Sequence, residues 1–448
     1  MDDTIAAIST AQGIGAISIV RVSGLDAIKI VNNIFSKDIT SVSSHTIHYG
    51  FIMNKDEKVD EVLVSVMRGP KTFTVEDVVE INAHGGIATT SKILELLLTN
   101  GCRLAEPGEF TRRAFMNGRI DLTEAEGVMD LINSETDAAR SMALNQVNGK
   151  VSSMIRDLRD FLAHIISNIE VNIDYPEYDD IKEITIDDIG NALNDIRNKI
   201  NKILSESKNG EILKNGIKTV IIGKPNVGKS SLLNRLIGKE KAIVTSVKGT
   251  TRDALEASLV FDNIRLNLVD TAGIRDTEDM VESIGVSKSL KLLDEAELIL
   301  LVLSYNEKLS SEDKKIIDML KGKNYITIVN KMDLEKKIDD SILSNVIYVS
   351  ALKDKNIDLI KDKIKELFNL ERIKTADLTY LTSSRSKAIL NRILIALDDV
   401  EKALSMDMPI DIIEIDIKNI WNMLGEIIGD SYDEELLDQL FSRFCVGK

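Results

Sequence analysis

Apolar residues recur along the chain with two different periods, and the period changes where we expect domains to meet. Close to the N terminus, β-rich runs occupy 16–22, 61–67 and 77–82, and a run with helical spacing follows over 87–98. Short runs bounded by turn residues are typical of strands, whereas positions three and four apart build one face of a helix. Residues 1–118 are therefore predicted to form a small α+β domain.

A helical period dominates two later segments, 119–210 and 373–448. In the first of them the apolar positions lie three or four apart, as in Met154, Leu158, Leu162, Ile165, Ile166 and Ile169. Such a stripe predicts amphipathic helices with one buried face. Because β-rich and helical runs alternate between the two segments, over 211–372, we predict one helical domain interrupted by an inserted α/β domain.

The helical stripe near the C terminus carries its own stop and start signals. Gly429 interrupts the stripe, and glycine is the residue that most often follows the end of a helix. Ser431 and Glu434 have the spacing of a capping box. That spacing predicts that a new helix begins at this point.

The inserted domain begins with a phosphate-binding sequence. Residues 223–230 read GKPNVGKS, follow a β-rich run at 217–222 and precede a helical run at 231–237, which is the context that the motif requires. Backbone N–H groups of such a loop surround phosphate oxygens, and the helix N terminus adds partial positive charge. Lys229 is expected to reach the terminal phosphates, and the Ser230 hydroxyl is expected to bind Mg²⁺.

A second motif for the terminal phosphate follows. In residues 270–273, which read DTAG and end a β-rich run, Asp270 would hold Mg²⁺ through water and Gly273 would offer its N–H to the γ-phosphate. Thr251 lies between the two phosphate motifs, where a switch threonine would sense Mg²⁺ and the γ-phosphate. Both phosphate motifs therefore stand in the order that a GTPase requires.

Two motifs for the base come later in the chain. Residues 330–333 read NKMD, and the Asp333 carboxylate can accept hydrogen bonds from guanine N1 and N2, a donor pair that adenine lacks. Residues 350–352 would offer a backbone N–H to guanine O6. Each short motif alone is compatible with an ordinary turn, but four of them in order predict a guanine-nucleotide domain with a doubly wound, Ras-like sheet.

The residues predicted to contact the nucleotide follow from these motifs and from the loop between the first two. They are Asn226, Val227, Gly228, Lys229, Ser230, Ser231, Thr245, Ser246, Val247, Lys248, Gly249, Thr250, Thr251, Asp270, Thr271, Ala272, Gly273, Asn330, Lys331, Asp333, Ser350, Ala351 and Leu352.

The residue that orients the attacking water is the open question of this site. Many GTPases carry a glutamine directly after the Asp-x-x-Gly glycine, but Ile274 stands here and cannot do that task. Glu282 is a candidate, although a carboxylate near a helix start is also favoured by the helix dipole alone. Asn226 and the oxygen-rich loop 245–250 could hold a monovalent cation that supplies positive charge.

Composition narrows the partners and the compartment. Acidic residues outnumber basic ones, 72 against 56, which gives a formal charge of −16, and aromatic residues make up 4%. These values argue against a protein that binds nucleic acid without a partner through a broad basic or base-stacking surface. Two cysteines cannot build a disulfide framework, and no run approaches the roughly 18 apolar residues of a membrane span. We expect a cytoplasmic protein without a membrane partner.

Longer segments, most of them outside the nucleotide motifs, carry a further signal. They include DTIAAIST, EDVVEINAHGG and AEPGEFTRRAFMNGRIDLTEAEG near the N terminus, DTAGIRDTEDMVESIG in the inserted domain, and the final Cys445-Val446-Gly447-Lys448. Together with the phosphate-binding loop, they make the whole chain resemble the MnmE (TrmE) family of tRNA-modification GTPases. The loop alone would indicate only the broad class of GTPase, whereas the combination is specific.

The resemblance implies that residues 1–118 are a dimerising module that binds a one-carbon tetrahydrofolate, either the 5-formyl or the 5,10-methylene form. The positions that match the family's folate contacts are Arg21, Glu80, Arg119 and Lys448. Arg119 stands where some relatives carry lysine, which keeps the charge but changes the hydrogen-bonding geometry. From the residues alone, Arg21 could equally be a strand-end surface residue paired with Glu80, and His84 could line the folate pocket or serve a turn.

The resemblance also implies the metal sites and the partners. Mg²⁺ would be held by Ser230 and Thr251, water activation falls to Glu282, and K⁺ would bind at Asn226, Thr245, Val247 and Thr250. A homodimer would join the FAD-dependent MnmG (GidA) in a heterotetramer, with NADH and FAD serving that partner. The complex would add an aminomethyl or carboxymethylaminomethyl group to C5 of the wobble uridine, position 34, of certain tRNAs. Cys445 would lie near the folate as an inert or a catalytic thiol, and Cys102 is expected to pack.

Two other functions are compatible with parts of the sequence. A ribosome-assembly or signalling GTPase would share the central domain, but such a protein often carries an RNA-binding KH domain with a GXXG loop, and none is evident after residue 373. A folate-binding dimer with an inactive GTPase domain is disfavoured because the phosphate, Mg²⁺ and guanine motifs are all intact.

Overall fold

The computed structural model describes residues 3–174, 185–238, 257–261, 264–269, 293–368, 370 and 378–448. The chain forms two compact units. Unit 1 comprises Met1–Met129, Gln146–Ile196 and Ala388–Lys448, and unit 2 comprises Asp130–Asn145 and Arg197–Lys387. These units reflect contacts between segments, and the domain limits at 118, 210 and 372 stay predictions. Among the described residues, no helix combines the length and the apolar character needed to cross a membrane.

Unit 1 contains a six-stranded sheet near its N terminus. Its strands are β1 Ile5–Ile8, β2 Ile17–Ser23, β3 Thr46–Asn54, β4 Glu57–Met67, β5 Val78–His84 and β6 Arg103–Leu104. They lie in the order β3-β4-β5-β2-β1-β6, antiparallel except for the parallel pair of β1 and β6. The alternating buried side chains of β2, β4 and β5 share one core with α1 Ala27–Ile34 and α2 Ile87–Thr99. The predicted α+β pattern is confirmed, although β1, β3 and β6 were not predicted.

Helices follow the sheet along the chain. They are α3 Glu109–Met116, α4 Leu122–Asn133, α5 Asp137–Val147, α6 Lys150–Asp174, α7 Ile186–Asn215, α11 Ser384–Ser405, α12 Ile410–Ile428 and α13 Glu434–Phe441. The predicted apolar stripe is buried in α6, where Leu158, Leu162 and Ile169 are almost fully covered. Helix α12 packs on α6 within unit 1, and the Arg159 guanidinium lies 4.0 Å from the Trp421 ring centroid. The two predicted helical segments therefore do contact each other.

The helix boundary near the C terminus differs from the prediction. Helix α12 ends as expected at Gly429, whose φ of 88° is the left-handed conformation that glycine adopts without strain. The next helix, however, is capped by Asp433, whose side chain accepts a hydrogen bond from the Glu435 N–H. The predicted capping box of Ser431 and Glu434 is wrong, because the carboxylate directly before the first helical residue satisfies the free backbone donor.

Unit 2 contains the doubly wound sheet that the motif order predicts. Its strands are β7 Ile217–Ile222, β8 Ala257–Phe261, β9 Ile264–Val269, β10 Leu298–Ser304, β11 Tyr325–Asn330 and β12 Val346–Tyr348. They lie in the order β12-β11-β10-β7-β9-β8, parallel except for the antiparallel pair of β8 and β9. Strand β10 is buried along its whole length, as expected for a parallel strand covered on both faces. The described residues of this part of the unit also form the helices α8 Lys229–Gly238, α9 Ser311–Met319 and α10 Asp358–Leu367.

Candidate functional sites

The phosphate loop of unit 2 connects the end of β7 to the start of α8, as predicted. Gly223 has a φ of 149° and Gly228 a φ of 94°, conformations that favour glycine. A side chain at Gly223 would collide with the Val302 carbonyl of the neighbouring strand, and one at Gly228 would collide with the Asn330 side chain. The two motif glycines are therefore required by close packing of the loop against β10 and β11.

Lys229 is the first residue of α8 and points back over the phosphate loop. Its Nζ donates hydrogen bonds to the carbonyl oxygens of Gly223 and Lys224, each at 2.7 Å. Burial lowers the pKa of Lys229. Phosphate oxygens are stronger acceptors than carbonyls, so the ammonium is placed to exchange its loop contacts for a bound phosphate. Ser230 and Ser231 follow in the first turn of the same helix.

Asn330, at the carboxyl end of β11, joins the phosphate loop to the base-binding motifs. Its side chain is buried, with 2% of the residue exposed. Nδ2 donates to the Val227 carbonyl at 3.0 Å, and Oδ1 accepts from the Ala351 N–H at 3.0 Å. One amide therefore ties together three of the predicted motifs. The predicted donor to guanine O6 is a backbone N–H of residues 350–352, and the Ala351 N–H of that loop is bonded to Asn330.

Asp333 carries the carboxylate predicted to read guanine. The buried Ser350 hydroxyl donates to Asp333 Oδ1 at 2.6 Å. This hydrogen bond lowers the pKa of Asp333, so the carboxylate stays ionised and accepts hydrogen bonds. An ionised acceptor suits the N1–H and N2–H donors of guanine.

Arg235 is a residue of the site that motif reasoning missed. It lies on α8, six residues after Lys229, where its Nε donates to the Ala351 carbonyl at 3.0 Å and its Nη2 to the Leu352 carbonyl at 3.3 Å. Helix α8, which begins at the phosphate loop, therefore also holds the loop 350–352 that is predicted to contact the guanine base. An arginine outside every motif gives no spacing signal that could have found it.

Several predicted residues lie outside the part of the chain that the structure describes. They are Thr245, Ser246, Val247, Lys248, Gly249, Thr250, Thr251, Asp270, Thr271, Ala272, Gly273, Ile274 and Glu282. Their roles stay predictions.

A second candidate site lies in unit 1, where the sheet meets the C-terminal tail. Arg21 lies inside β2 and directly opposite Glu80 of β5, with 2.9 Å between Arg21 Nη2 and Glu80 Oε1. Arg21 Nη1 also donates to the Gly447 carbonyl at 3.2 Å. The possibility of Arg21 as a strand-end surface residue is wrong, because the side chain is half-buried in mid-strand, whereas its pairing with Glu80 is confirmed.

Backbone contacts hold the tail against the sheet. Val446 forms a β-bridge with Pro107, and the Gly108 N–H donates to the Cys445 carbonyl at 3.3 Å. Ser9 Oγ donates to the Gly447 carbonyl at 3.1 Å. These contacts bring Lys448 beside Arg21, and the pKa of Lys448 is lowered by burial and by that arginine.

Arg119 lies over an aromatic ring of the same unit. Its guanidinium lies 5.2 Å from the Phe73 ring centroid and donates to the Thr72 carbonyl. The Arg21 guanidinium lies 5.7 Å from the Phe110 centroid, and Phe73 packs against the small apolar cluster that contains Phe110. The structure therefore brings Arg21, Glu80 and Lys448 together. Arg119 contacts Phe73, which packs against the same small apolar cluster as Phe110, the ring beside Arg21.

The two cysteines and His84 have different environments. Cys102 is buried, and burial raises its pKa to about 12, which confirms its packing role and makes the thiol inert at neutral pH. Cys445 is exposed in the tail. His84 ends β5 and bonds Asp60 Oδ1 at 2.7 Å, a partner that raises the pKa of the imidazole.

The fold and the first site together define a P-loop GTPase. A phosphate loop, an Asn-Lys-Met-Asp motif and a Ser-Ala-Leu loop meet at the carboxyl ends of parallel strands, where doubly wound sheets bind nucleotides. Family models extend this class to a family: "GTP-binding protein TrmE N-terminus" matches residues 4–119 and "MnmE helical domain" matches residues 122–445. The chain belongs to the MnmE family of tRNA modification GTPases.

Curated relatives agree with this membership. The "tRNA modification GTPase MnmE" of Bacillus subtilis strain 168 is 51% identical over 458 residues, covering 100% of both chains. The protein of the same name from Bacillus cytotoxicus is 50% identical over 455 residues, covering 100% of this chain and 99% of the relative. Among solved structures, the G domain of the T. maritima FeoB iron transporter is 26% identical, with a TM-score of 0.26 over 34% of this chain and 98% of its own.

Proposed function

We propose that this chain is a K⁺-stimulated GTPase that acts with the FAD-dependent protein MnmG (GidA) to modify tRNA. The modification is the addition of an aminomethyl or carboxymethylaminomethyl group to C5 of the wobble uridine, with a tetrahydrofolate as the one-carbon donor. The observation that carries the GTPase part is the Asn330 side chain, which bonds both the phosphate loop and the base loop. Membership in the family supports the tRNA part.

The proposed ionic requirements rest on the ligand residues that the family resemblance implies. The Ser230 hydroxyl, in the first turn of α8, and Thr251 would hold Mg²⁺, which neutralises charge on the terminal phosphates when bound. Asn226 has a left-handed φ of 64°, which turns the phosphate loop at that residue. Its side-chain oxygen, with Thr245, Val247 and Thr250, would hold K⁺, which supplies positive charge where an arginine finger would otherwise be needed.

Turnover of GTP in K⁺ and in Na⁺ tests the cation requirement directly. With Mg²⁺ and ionic strength held constant, we expect hydrolysis to be at least about tenfold faster in K⁺, because removing one stabilising charge from a transition state costs at least that much. Glu282→Ala should lower kcat and leave nucleotide affinity nearly intact, while Glu312→Ala, a change on the exposed side of α9, should alter neither. Equal rates in both salts, or a loss of affinity alone in Glu282→Ala, would contradict the proposal.

The folate part is supported by the charged groups that unit 1 brings together. Arg21, Arg119 and Lys448 offer cationic side chains near the carboxylate of Glu80, which suits a ligand that carries both glutamate carboxylates and a pterin. The carboxylate of Glu80 can accept from the amino and ring N–H groups of such a ring. We expect 5-formyl- or 5,10-methylene-tetrahydrofolate to bind here, with FAD and NADH supplied through the partner.

Assembly and location complete the proposal. The chain would form a homodimer through its N-terminal domain and a heterotetramer with MnmG in the cytoplasm. Because its formal charge is −16, we expect the partner to supply most of the basic surface that holds tRNA. Size-exclusion chromatography with light scattering on the chain alone, and then with MnmG, would test both assemblies. A monomeric mass for the chain alone, or no complex with MnmG, would contradict them.

A further inference from the structure

Lys224, the second residue of the phosphate loop, has a side chain that the nucleotide motif does not explain. Its Nζ lies 2.8 Å from Asp313 Oδ2, with 26% of the Lys224 side chain and 6% of the Asp313 side chain exposed. The same ammonium donates to the Ser310 hydroxyl. The loop is therefore fastened by a largely covered ion pair to a helix other than the one that begins at the loop.

The acceptor of this pair is itself rigidly held. Asp313 is the third residue of α9 and forms a capping box with Ser310. The Ser310 N–H and hydroxyl both donate to Asp313 Oδ2 at 2.9 Å. Burial alone would raise the pKa of Asp313, but the hydrogen bonds from Lys224 and from Ser310 outweigh it and lower the pKa. A charged carboxylate in one fixed orientation is a suitable anchor for a loop cation.

The backbone of Lys224 connects this anchor to the phosphate-binding ammonium. The Lys224 carbonyl accepts a hydrogen bond from Lys229 Nζ at 2.7 Å. Two residues further along the loop, Asn226 has a φ of 64°, a left-handed conformation that residues other than glycine adopt less often. Fixing the Lys224 side chain therefore restrains the part of the loop whose carbonyl accepts from Lys229 before a phosphate takes its place.

We propose that Lys224 is a positioning residue of the nucleotide site, which acts through its ion pair with Asp313 to hold the phosphate loop in its binding conformation. The proposal rests on the proposed nucleotide binding and deepens that same site. Because the ion pair acts on the loop and not on one phosphate, GTP and GDP should depend on it equally. A Lys224 that contacted the γ-phosphate directly would affect GTP more than GDP.

The test is nucleotide affinity, measured by isothermal titration on the full chain with GTP and with GDP. Lys224→Met should weaken both nucleotides by about tenfold to hundredfold, as expected for the loss of one charge-assisted, partly buried hydrogen-bonded pair. Lys224→Arg should restore both affinities to within about twofold, because arginine can reach the same carboxylate. Lys321→Met removes the exposed pair between Lys321, which follows the end of α9, and Asp318 of that helix, at 2.9 Å, and should change neither affinity.

A double-mutant cycle separates positioning from a general loss of stability. Asp313→Asn should weaken binding by a similar factor, and Lys224→Met combined with Asp313→Asn should cost little more than either change alone, since both remove one interaction. Thermal unfolding identifies folded variants; if Lys224→Met does not fold, Lys224→Gln replaces it with the same expectation. Affinities within twofold of wild type in folded Lys224→Met or Lys224→Gln, additive losses in the cycle, or a loss for GTP alone would overturn the inference. Failure of the unaltered chain to bind GTP would instead overturn the proposed function.

Discussion

The two candidate sites are built in opposite ways. The nucleotide site of unit 2 is made of short contiguous motifs at the ends of strands, and its contacts run largely between backbone and motif side chains. The tail site of unit 1 joins Arg21 to Gly447, which are 426 positions apart, through tertiary contact alone. A phosphate site can therefore be recognised from the local spacing of its residues, whereas a site to which the C-terminal tail contributes can be recognised only from the folded structure.

The comparison is tested most strongly by removing the phosphate-binding ammonium. Lys229→Met should lower kcat/KM for GTP by about 100- to 1000-fold, because a fixed cation at the transferring phosphates is lost. Folate affinity should stay unchanged, because Lys229 belongs to unit 2 and the residues of the tail site belong to unit 1. Steady-state GTP hydrolysis and folate titration on the same preparation measure both quantities, and a parallel loss of folate binding would refute the separation.

Base recognition offers the next largest effect. Asp333→Asn should weaken GTP by about 100-fold, because the carboxylate that accepts from N1 and N2 becomes an amide with the wrong donors. The same change should improve binding of xanthosine triphosphate, whose O2 can accept from the new amide. Competition titrations with GTP and xanthosine triphosphate measure this change in base preference. Asp339→Asn, in the same loop, serves as the control. Unchanged preference for guanine would remove Asp333 from the base site.

The tail site should respond more modestly. Arg21→Met, or deletion of Val446 to Lys448, should weaken 5-formyltetrahydrofolate by about tenfold, the usual cost of one lost charge-assisted hydrogen bond. Lys92→Met, which removes an exposed pair with Glu95, should have no effect. Fluorescence titration with the folate measures this affinity. Full affinity in the truncated chain would exclude the tail from the site. A loss of GTP affinity in either variant would contradict the assignment of the two ligands to different units.

The smallest effect concerns pH and the stability of unit 1. Glu109 is buried, and although burial raises its pKa, hydrogen bonds from Arg103, the Glu106 N–H and Arg113 lower it overall. A depressed pKa contributes stability above the unfolded value, about 4.3, and that contribution is lost as pH falls through the folded-state value. Glu109→Gln should therefore lower the melting temperature at pH 7 by about 2–4 °C, and the difference should shrink toward pH 3. A difference independent of pH would contradict this account.

Sequence reasoning succeeded where chemistry and spacing coincide. The run 217–222 was predicted as a strand and is β7, and the predicted helix after the phosphate loop is α8. Strand β1 was missed because it is only four residues long, and β3 because its short apolar alternation is broken by Gly50 and His48. The Asp433 cap was missed because the sequence offers two side chains, Ser431 and Asp433, that could cap the same helix.

The parts of the sites that could not be predicted are those held by distant side chains. Arg235 lies on α8 and contacts a distant loop, and Lys224 of the phosphate loop pairs with Asp313 on α9, so tertiary packing decides which side chains meet. Neither has a motif spacing. The seating of Gly447 on β1 and β2 likewise depends on a close approach of the tail to Ile8, which no local pattern encodes.

Nucleoside analysis of tRNA from a strain that lacks the gene for this chain tests the central claim most directly. We expect the carboxymethylaminomethyl and aminomethyl groups to be missing from wobble uridines, and the gene carrying Lys92→Met to restore them while Lys229→Met does not. Normally modified wobble uridines in the deletion strain would contradict the account.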